Sequence, residues 1–385
     1  MTWIHDPWNI VLIVLAGVAA WLLLAWAHLR FWVARLHLEL PYAVAERLRA
    51  ADGGVYELRR ISEEAAVSED RPPVLLVHGI CANHRNQDIH PDYSLARYLA
   101  NRGRDVWLLT LRSGAHQDRR RGHVPMGFDS MVRHDVPEGI AQVLARTGAR
   151  ALDYVAFSMG GMLLYAALGN TVDGDKLRKV VFVGSPGRVE PPHRVPKVLG
   201  RIPRKWTPVL WSGLGARMFA FVSEWFLTPL HWMILNPKNM PKGITRLALV
   251  DCVQDVPGEL LADFLAWAVN DGVVRVGGKD VLDGIRRARQ PALFIAGTAD
   301  RLGKASAVRA AFDQWGSESG ARAKQFALLG QESGAHADYG HGDLAMGSRV
   351  TEELYPRIEA FLAQAGDRQI SNAMPMDQVE APTRI

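Results

Sequence analysis

Short apolar runs that alternate with helix-spaced segments place the tightest limit on what this chain can fold into. "PPVLLVHG" (Pro72 to Gly79), "DVWLLTL" (Asp105 to Leu111), "ALDYVAFS" (Ala151 to Ser158), "KVVFVGSPG" (Lys179 to Gly187) and "QPALFIAG" (Gln290 to Gly297) each have the composition of a strand buried on both faces. Between and after them, "DYSLARYLANRG", a long stretch from Phe128 to Gly148 interrupted near Pro137, "MGGMLLYAALG", "KASAVRAAFDQWG" and Val350 to Ala363 have helical spacing. "VYELRRI" (Val55 to Ile61), after a charged connector, is expected as an edge strand, and "KQFALLG" as a further strand. Strands alternating with helices imply right-handed crossovers and a mostly parallel sheet with helices on both faces, an α/β fold. At 385 residues and 48% hydrophobic content the chain is large enough to bury such a core.

Two segments break the rhythm. Ile10 to Ala27 carries no charged or polar side chain and, as a helix, reaches about 27 Å, close to the thickness of a bilayer's hydrocarbon. Ala25 and Ala27 form an A-x-A of the kind signal peptidases cut, but no Lys or Arg precedes the run and the run is long for a signal, so residues 8–34 are read as an uncleaved transmembrane anchor. Trp8, Trp26 and Trp32 stand near its ends, and Arg30, Arg35, Arg47 and Arg49 follow it, which places the body of the protein in the cytoplasm. The second break, residues 188–288, holds the Trp- and Phe-rich stretch Trp206 to Pro237 and reads as a helical cap inserted into a domain spanning 51–365. Residues 366–385 lack periodicity and are expected as a loose tail.

The net charge of +5 is not gathered into a basic stripe and no nucleic-acid motif accompanies it, so nucleic acid is not expected as a partner. Two cysteines, Cys81 and Cys252, make no disulfide framework, and no metal spacing occurs; the "HRNQDIH" run from His84 to His90 matches no ligand pattern. Neither a metal nor an organic cofactor is called for. The oligomeric state is not encoded in any motif.

Ser158 is the residue that packing does not explain. It ends a buried strand directly before a helix, where parallel sheets place their ligands. "A-F-S-M-G" fits the nucleophile-elbow pattern small-x-S-x-Gly, in which strand and helix backbones pass so closely that only small residues fit two positions either side. A serine attacks only when a base takes its proton and an acid holds the base. In elbow proteins the acid follows the serine and the histidine comes last. "FIAGTADRLG" offers Asp300, preferred by position over Asp251, Asp255 and Glu190; "SGAHADYGHGD" offers His341, preferred over His336. Two N–H donors are needed for the developing oxyanion. Met159, after the serine, is one; Ile80, after His78-Gly79, is the other, with Cys81 in reserve.

With these residues in place the chain resembles the α/β-hydrolase superfamily, and within it the acid lipases of gastric and lysosomal type. The similar stretches are "ADGGVYELRRI", "PPVLLVHGI", "DVWLLTLRSGAHQDRR", "FDSMVRHDVPEGIAQVLARTG", the elbow, and "DYGHGDLAMGSRVTEELYPRIEAFL", where Tyr339, His341 and Asp343 look like that family's catalytic-histidine loop. The resemblance implies an α/β-hydrolase fold, Ser158, Asp300 and His341 as a triad, and Ile80 within the oxyanion stretch. It implies a serine carboxylic-ester hydrolase; the apolar insertion, edged by Arg201, Arg204, Lys205, Lys238 and Lys242, and the anchor lead to the expectation of lipophilic esters as substrates and membrane lipid as a partner. The C-terminal third is also similar to relatives of polyhydroxyalkanoate synthases, whose nucleophile is cysteine; that likeness implies acyl transfer by the same acyl-enzyme as an alternative, with a non-catalytic membrane protein of the same fold as another. The elbow departs from the acid lipases' G-H-S-Q-G, and the insertion has no counterpart in the quoted stretches.

Overall fold

A computed structural model describes residues 7–62, 68, 71–117, 123–191, 198–320 and 323–364. The expected tail at 366–385 lies outside the described residues. The chain opens with helix α1 (Pro7–Leu36), which is long and apolar enough to cross a membrane. From Ile10 to Leu24 it is exposed on every face.

Eight strands form one sheet: β1 (Val44–Arg49), β2 (Val55–Arg60), β3 (Val74–Val77), β4 (Val106–Thr110), β5 (Leu152–Phe157), β6 (Leu177–Val183), and, past a two-residue hairpin β7 (Arg275–Val276) and β8 (Lys279–Asp280), β9 (Ala292–Gly297) and β10 (Lys324–Leu329). Their order is β1-β2-β4-β3-β5-β6-β9-β10. The pairs β1/β2 and β2/β4 are antiparallel and all others in the sheet are parallel. The predicted edge strand is therefore one place in from the edge. The true edge, β1, lies in the segment taken for a connector, because "VAERLR" on a mostly exposed ribbon carries charges where a buried strand would carry valine.

Alternation along the buried strands separates two cores. Leu75, Val77, Trp107, Leu109, Tyr154, Ala156, Phe182 and Phe294 face one side. Val74, Leu76, Val106, Leu108, Val155, Phe157, Val181 and Ile295 face the other, as a period of two requires. Helices α2 (Leu95–Ala100), α3 (Val136–Thr147) and α4 (Met159–Ala167) cover these faces in the first half of the chain. The predicted break near Pro137 is present as a π-helical turn, Met131–Asp135, leading into α3. Pro137 has no N–H to offer the preceding turn, so the backbone widens there.

The insertion after β6 holds α5 (Ser212–Phe219), α6 (Pro229–Ile234) and α7 (Gly258–Val269) among shorter turns. The chain rejoins the core at α8 (Val281–Ile285), whose Val281, Leu282 and Ile285 are buried against the sheet-side cluster, and continues through α9 (Ala305–Gln314) to α10 (Tyr355–Ala363). The final helical segment is broken at Leu354, immediately before α10, whose first turn contains Pro356.

Topology positions the site. β3 lies between β4 and β5, so the chain leaves β3 for one neighbour and later returns on its other side as β5. Loops at such a switch point diverge and leave a crevice beyond the carboxyl ends of the strands. Val77 and Ala156 are paired in register, so the segments carrying Ile80 and Ser158 emerge side by side.

Candidate active site

Ser158 stands between β5 and α4 with φ 53° and ψ −119°, a conformation that costs a non-glycine residue about 1–3 kcal/mol. The turn is sharp because α4 starts hard against the end of β3: a Cβ at Gly160 would stand 2.6 Å from Val77 O and 2.9 Å from His78 O. Glycine is required there. On the other side Ala156 places its methyl in the packed core without conflict. Tyr154 Oη donates to Gly160 O at 3.0 Å, and Ser158 N donates to Val183 O at 2.9 Å, so the turn is held both from its own strand β5 and from the neighbouring β6.

The structure brings the three distant side chains together. His341 Nε2 lies 2.9 Å from Ser158 Oγ, and His341 Nδ1 lies 2.7 Å from Asp300 Oδ2. All three residues are buried, and the imidazole packs on Phe157 with ring centroids 4.9 Å apart. Asp300 is fixed by its second oxygen, which accepts from the N–H of Leu302 at 2.9 Å and of Gly303 at 2.7 Å. These two backbone donors escaped the sequence analysis; the Gly303 that ends "TADRLG" was their only trace. Gly184, with φ 56°, passes so near that a Cβ there would stand 3.3 Å from both Asp300 Oδ2 and His341 Nδ1.

The competing residues are elsewhere. His336 is exposed, and its backbone N–H donates to Glu353. Asp255 accepts from Gly213 and Leu214 at the start of α5, and Glu190 pairs with Lys304 and Ser306. Asp251 accepts from Leu38 N and His37 Nδ1 at the end of α1 and from Arg85 after β3. His84 and His90 are engaged separately, with Thr110 Oγ1 and with the N–H of Asp92.

Gly79 touches the serine: a Cβ there would stand 2.9 Å from Ser158 Cβ and 3.4 Å from Ser158 Oγ. Among the described residues, no acceptor engages the N–H of Ile80 or of Met159. His78, which the sequence places in the oxyanion stretch without a role of its own, holds this peptide in place. Leu111 N donates to its Nε2 at 3.0 Å, so the proton is on Nδ1, which donates to Gly79 O at 2.7 Å. The N–H and C=O of a trans peptide point opposite ways, so fixing Gly79 O orients the Ile80 N–H away from it. Burial pushes the His78 imidazole down to about 4. Cys81 follows with φ 61°; its carbonyl accepts from Gln254 N, and its Sγ lies 3.0 Å from Gln254 O, binding the loop to the insertion.

Asp343, noted in the sequence only as part of a motif, links the histidine loop to the insertion. Its carboxylate accepts from Gly340 N, from Asn236 N at 2.9 Å and from Asn239 Nδ2 at 2.8 Å. Burial raises its pKa, and these donors work against that rise.

Comparison with known proteins agrees with this architecture. A family model described as the alpha/beta hydrolase fold matches residues 72–207. Human gastric triacylglycerol lipase is 30% identical over 146 residues, which are 35% of this chain and 37% of that protein. The chain spans less than two thirds of the length of the curated relatives it matches. Among solved structures, an esterase from Thermogutta terrifontis superposes with a TM-score of 0.52 at 17% identity, covering 83% of this chain and 98% of that one. A structure described as a membrane phospholipase A, a bacterial virulence factor, superposes with a TM-score of 0.51 at 15% identity, covering 93% and 98%. At these identities the superpositions speak to the fold.

The neutral state of His78 has a measurable consequence. Its folded pKa lies below the ordinary value of about 6.5, so the fold excludes a proton that the unfolded chain binds. The associated stability is complete above pH 6.5 and is lost as pH falls toward 4, in total about 3 kcal/mol. Urea unfolding between pH 7 and 4 is expected to show that loss in wild type and a shallower one in His78→Asn.

Proposed function

We propose that this chain, which has the α/β-hydrolase fold, is a membrane-anchored serine carboxylic-ester hydrolase acting on lipophilic esters. The observation that carries the reading is the continuous relay from Ser158 Oγ through His341 to Asp300, at 2.9 and 2.7 Å, on a strained elbow. Ser158 Oγ attacks the ester carbonyl while His341 Nε2 takes its proton. Asp300 holds the Nδ1–H and stabilises the imidazolium that forms. The carbonyl oxygen gains negative charge between the N–H groups of Met159 and Ile80. The tetrahedral intermediate collapses, His341 protonates the departing alkoxide, and an acyl-Ser158 remains. Water, deprotonated by the same imidazole, then releases the acid and restores the serine.

Residues 8–34 are the membrane anchor in this reading, residues 51–365 the hydrolase domain and residues 188–288 its cap. The named lipases and esterases among the similar proteins support an ester as substrate. The apolar surface of the cap supports a lipophilic one. The arginines that follow the anchor support a cytoplasmic catalytic domain.

A fluorophosphonate probe is expected to label wild type and not Ser158→Ala, and ester turnover in that variant should fall by roughly 10⁴-fold or more. Labelling that persists in Ser158→Ala refutes the assignment. Across p-nitrophenyl esters, C8 and longer chains should be turned over faster than acetate or butyrate; the reverse order removes the lipophilic preference. In sealed vesicles of known orientation, protease should cut the catalytic domain from the cytoplasmic face, and cleavage from the opposite face overturns the placement.

A further inference from the structure

The way α1 is seated fixes where a membrane surface meets the body of the protein. Beyond Leu24 one stripe of the helix becomes half-buried, at Ala25, His28, Leu29, Trp32, Val33 and Leu36. This is the i, i+3, i+4, i+7 spacing of a docked helical face. The surface it docks on is the cap. His28 Nε2 meets Met218 O at 3.2 Å, and the rings of His28 and Trp32 pack on Phe221 at 4.8 and 5.1 Å. At its end, Leu38 N and His37 reach Asp251 of the same insertion. From Ile10 to Leu24 the helix is apolar and exposed on all sides, and the change occurs within one turn.

If the free part lies in hydrocarbon, the membrane boundary falls near Ala25, and Met218 is only about 5 Å farther along the axis. The exposed side chains of α1 around Ala25 and of the cap segment that follows Met218 have an interfacial composition. Trp26 and Phe31 stand on α1, and Arg30 reaches back over the Trp26 ring with 5.9 Å between its guanidinium carbon and the ring centroid. On the cap, Phe219, Trp225 and Phe226 are 67%, 67% and 66% exposed, and Leu227 and Leu230 beside them are exposed as well. A soluble surface rarely gathers such large apolar groups without covering them. From Val198 to Cys252 the chain has seven Lys and Arg (Arg201, Arg204, Lys205, Arg217, Lys238, Lys242, Arg246) against Glu224 and Asp251, a balance suited to anionic headgroups.

We propose that the cap segment bearing Phe219, Trp225, Phe226, Leu227 and Leu230 is a second membrane-contact surface, immersed in the headgroup boundary of the bilayer that α1 spans. Anchor and cap then act as one membrane-bound unit. The sheet hangs from it, and the cap that covers the site faces the lipid phase. The inference rests on reading α1 as a membrane span. It does not need the chemistry assigned to Ser158, on which only the second measurement below draws.

The test uses the full chain in vesicles of phosphatidylethanolamine and phosphatidylglycerol. An environment-sensitive fluorophore is attached to a cysteine at Trp225→Cys, or at Arg287→Cys as control; Arg287 is exposed and precedes β9, at the end of the sheet opposite the site. Brominated lipids are expected to quench the probe at 225 at least threefold more than at 287. Equal quenching at the two sites overturns the proposal. Release of wild type from the vesicles by alkaline carbonate overturns the reading of α1 and this inference with it, and leaves the serine chemistry untouched. A second measurement uses the triple variant F219S/W225S/F226S. It should hydrolyse p-nitrophenyl butyrate in solution within twofold of wild type, and a long-chain ester embedded in the vesicles at least tenfold more slowly. An equal effect on both substrates, or none on either, contradicts a lipid-contact role.

Discussion

The close approach of α4 to the end of β3 is the constraint on which the rest of the site depends. A peptide chain cannot reverse from strand to helix in one residue unless that residue accepts a positive φ and the next turn has no side chain to collide with the neighbouring strand. Ser158 takes the first requirement and Gly160 the second. The strain is sustained because the surroundings over-determine it. Buried strands stand on both sides, a tyrosine hydroxyl is bonded to Gly160 O, and a backbone bond ties the serine to β6. What the strain secures is presentation: the hydroxyl projects beyond the sheet edge, where an imidazole from a different loop can reach it.

Much of this was legible from the residues because buried parallel strands have a composition that little else imitates. The runs at Val74, Val106, Leu152 and Ala292 are apolar on both faces, and each proved to be an interior strand. Chain order then confined the acid and the base to loops after late strands, and the geometry joins Asp300 and His341 to Ser158. β1 was not legible, since an exposed edge ribbon is selected for charge and resembles a linker. The work of His78 was hidden for a different reason. Its partners, Gly79 O and Leu111 N, are backbone atoms, and a side chain bonded to backbone leaves no complementary residue to find in the sequence. Asp251, a carboxylate that competes with Asp300 in the sequence, is a junction where the end of α1, the loop after β3 and the insertion meet on one side chain.

Among the described residues, three of the polar ties between the insertion and the body end on parts of the site's frame. Cys81 bonds it to the loop that carries Ile80; Asp251 bonds it to Arg85 beyond that loop and to the end of α1; Asp343 bonds it to the histidine loop. Apolar contact fixes the insertion's general position, while these polar bonds fix its register. Directional bonds at a few points give a lid-like element a defined seat that nondirectional packing alone would leave loose.

The carboxylate of Asp343 makes the last of these ties a mechanical linkage. It grips Asn236 and Asn239 on one side and the backbone of Gly340, next to His341, on the other. Any displacement of the insertion at Asn236 pulls on the same anion that shapes the turn bearing the imidazole. Movement of that insertion and the placement of the His341 imidazole therefore share one coordinate, so that neither can be retuned by substitution without disturbing the other.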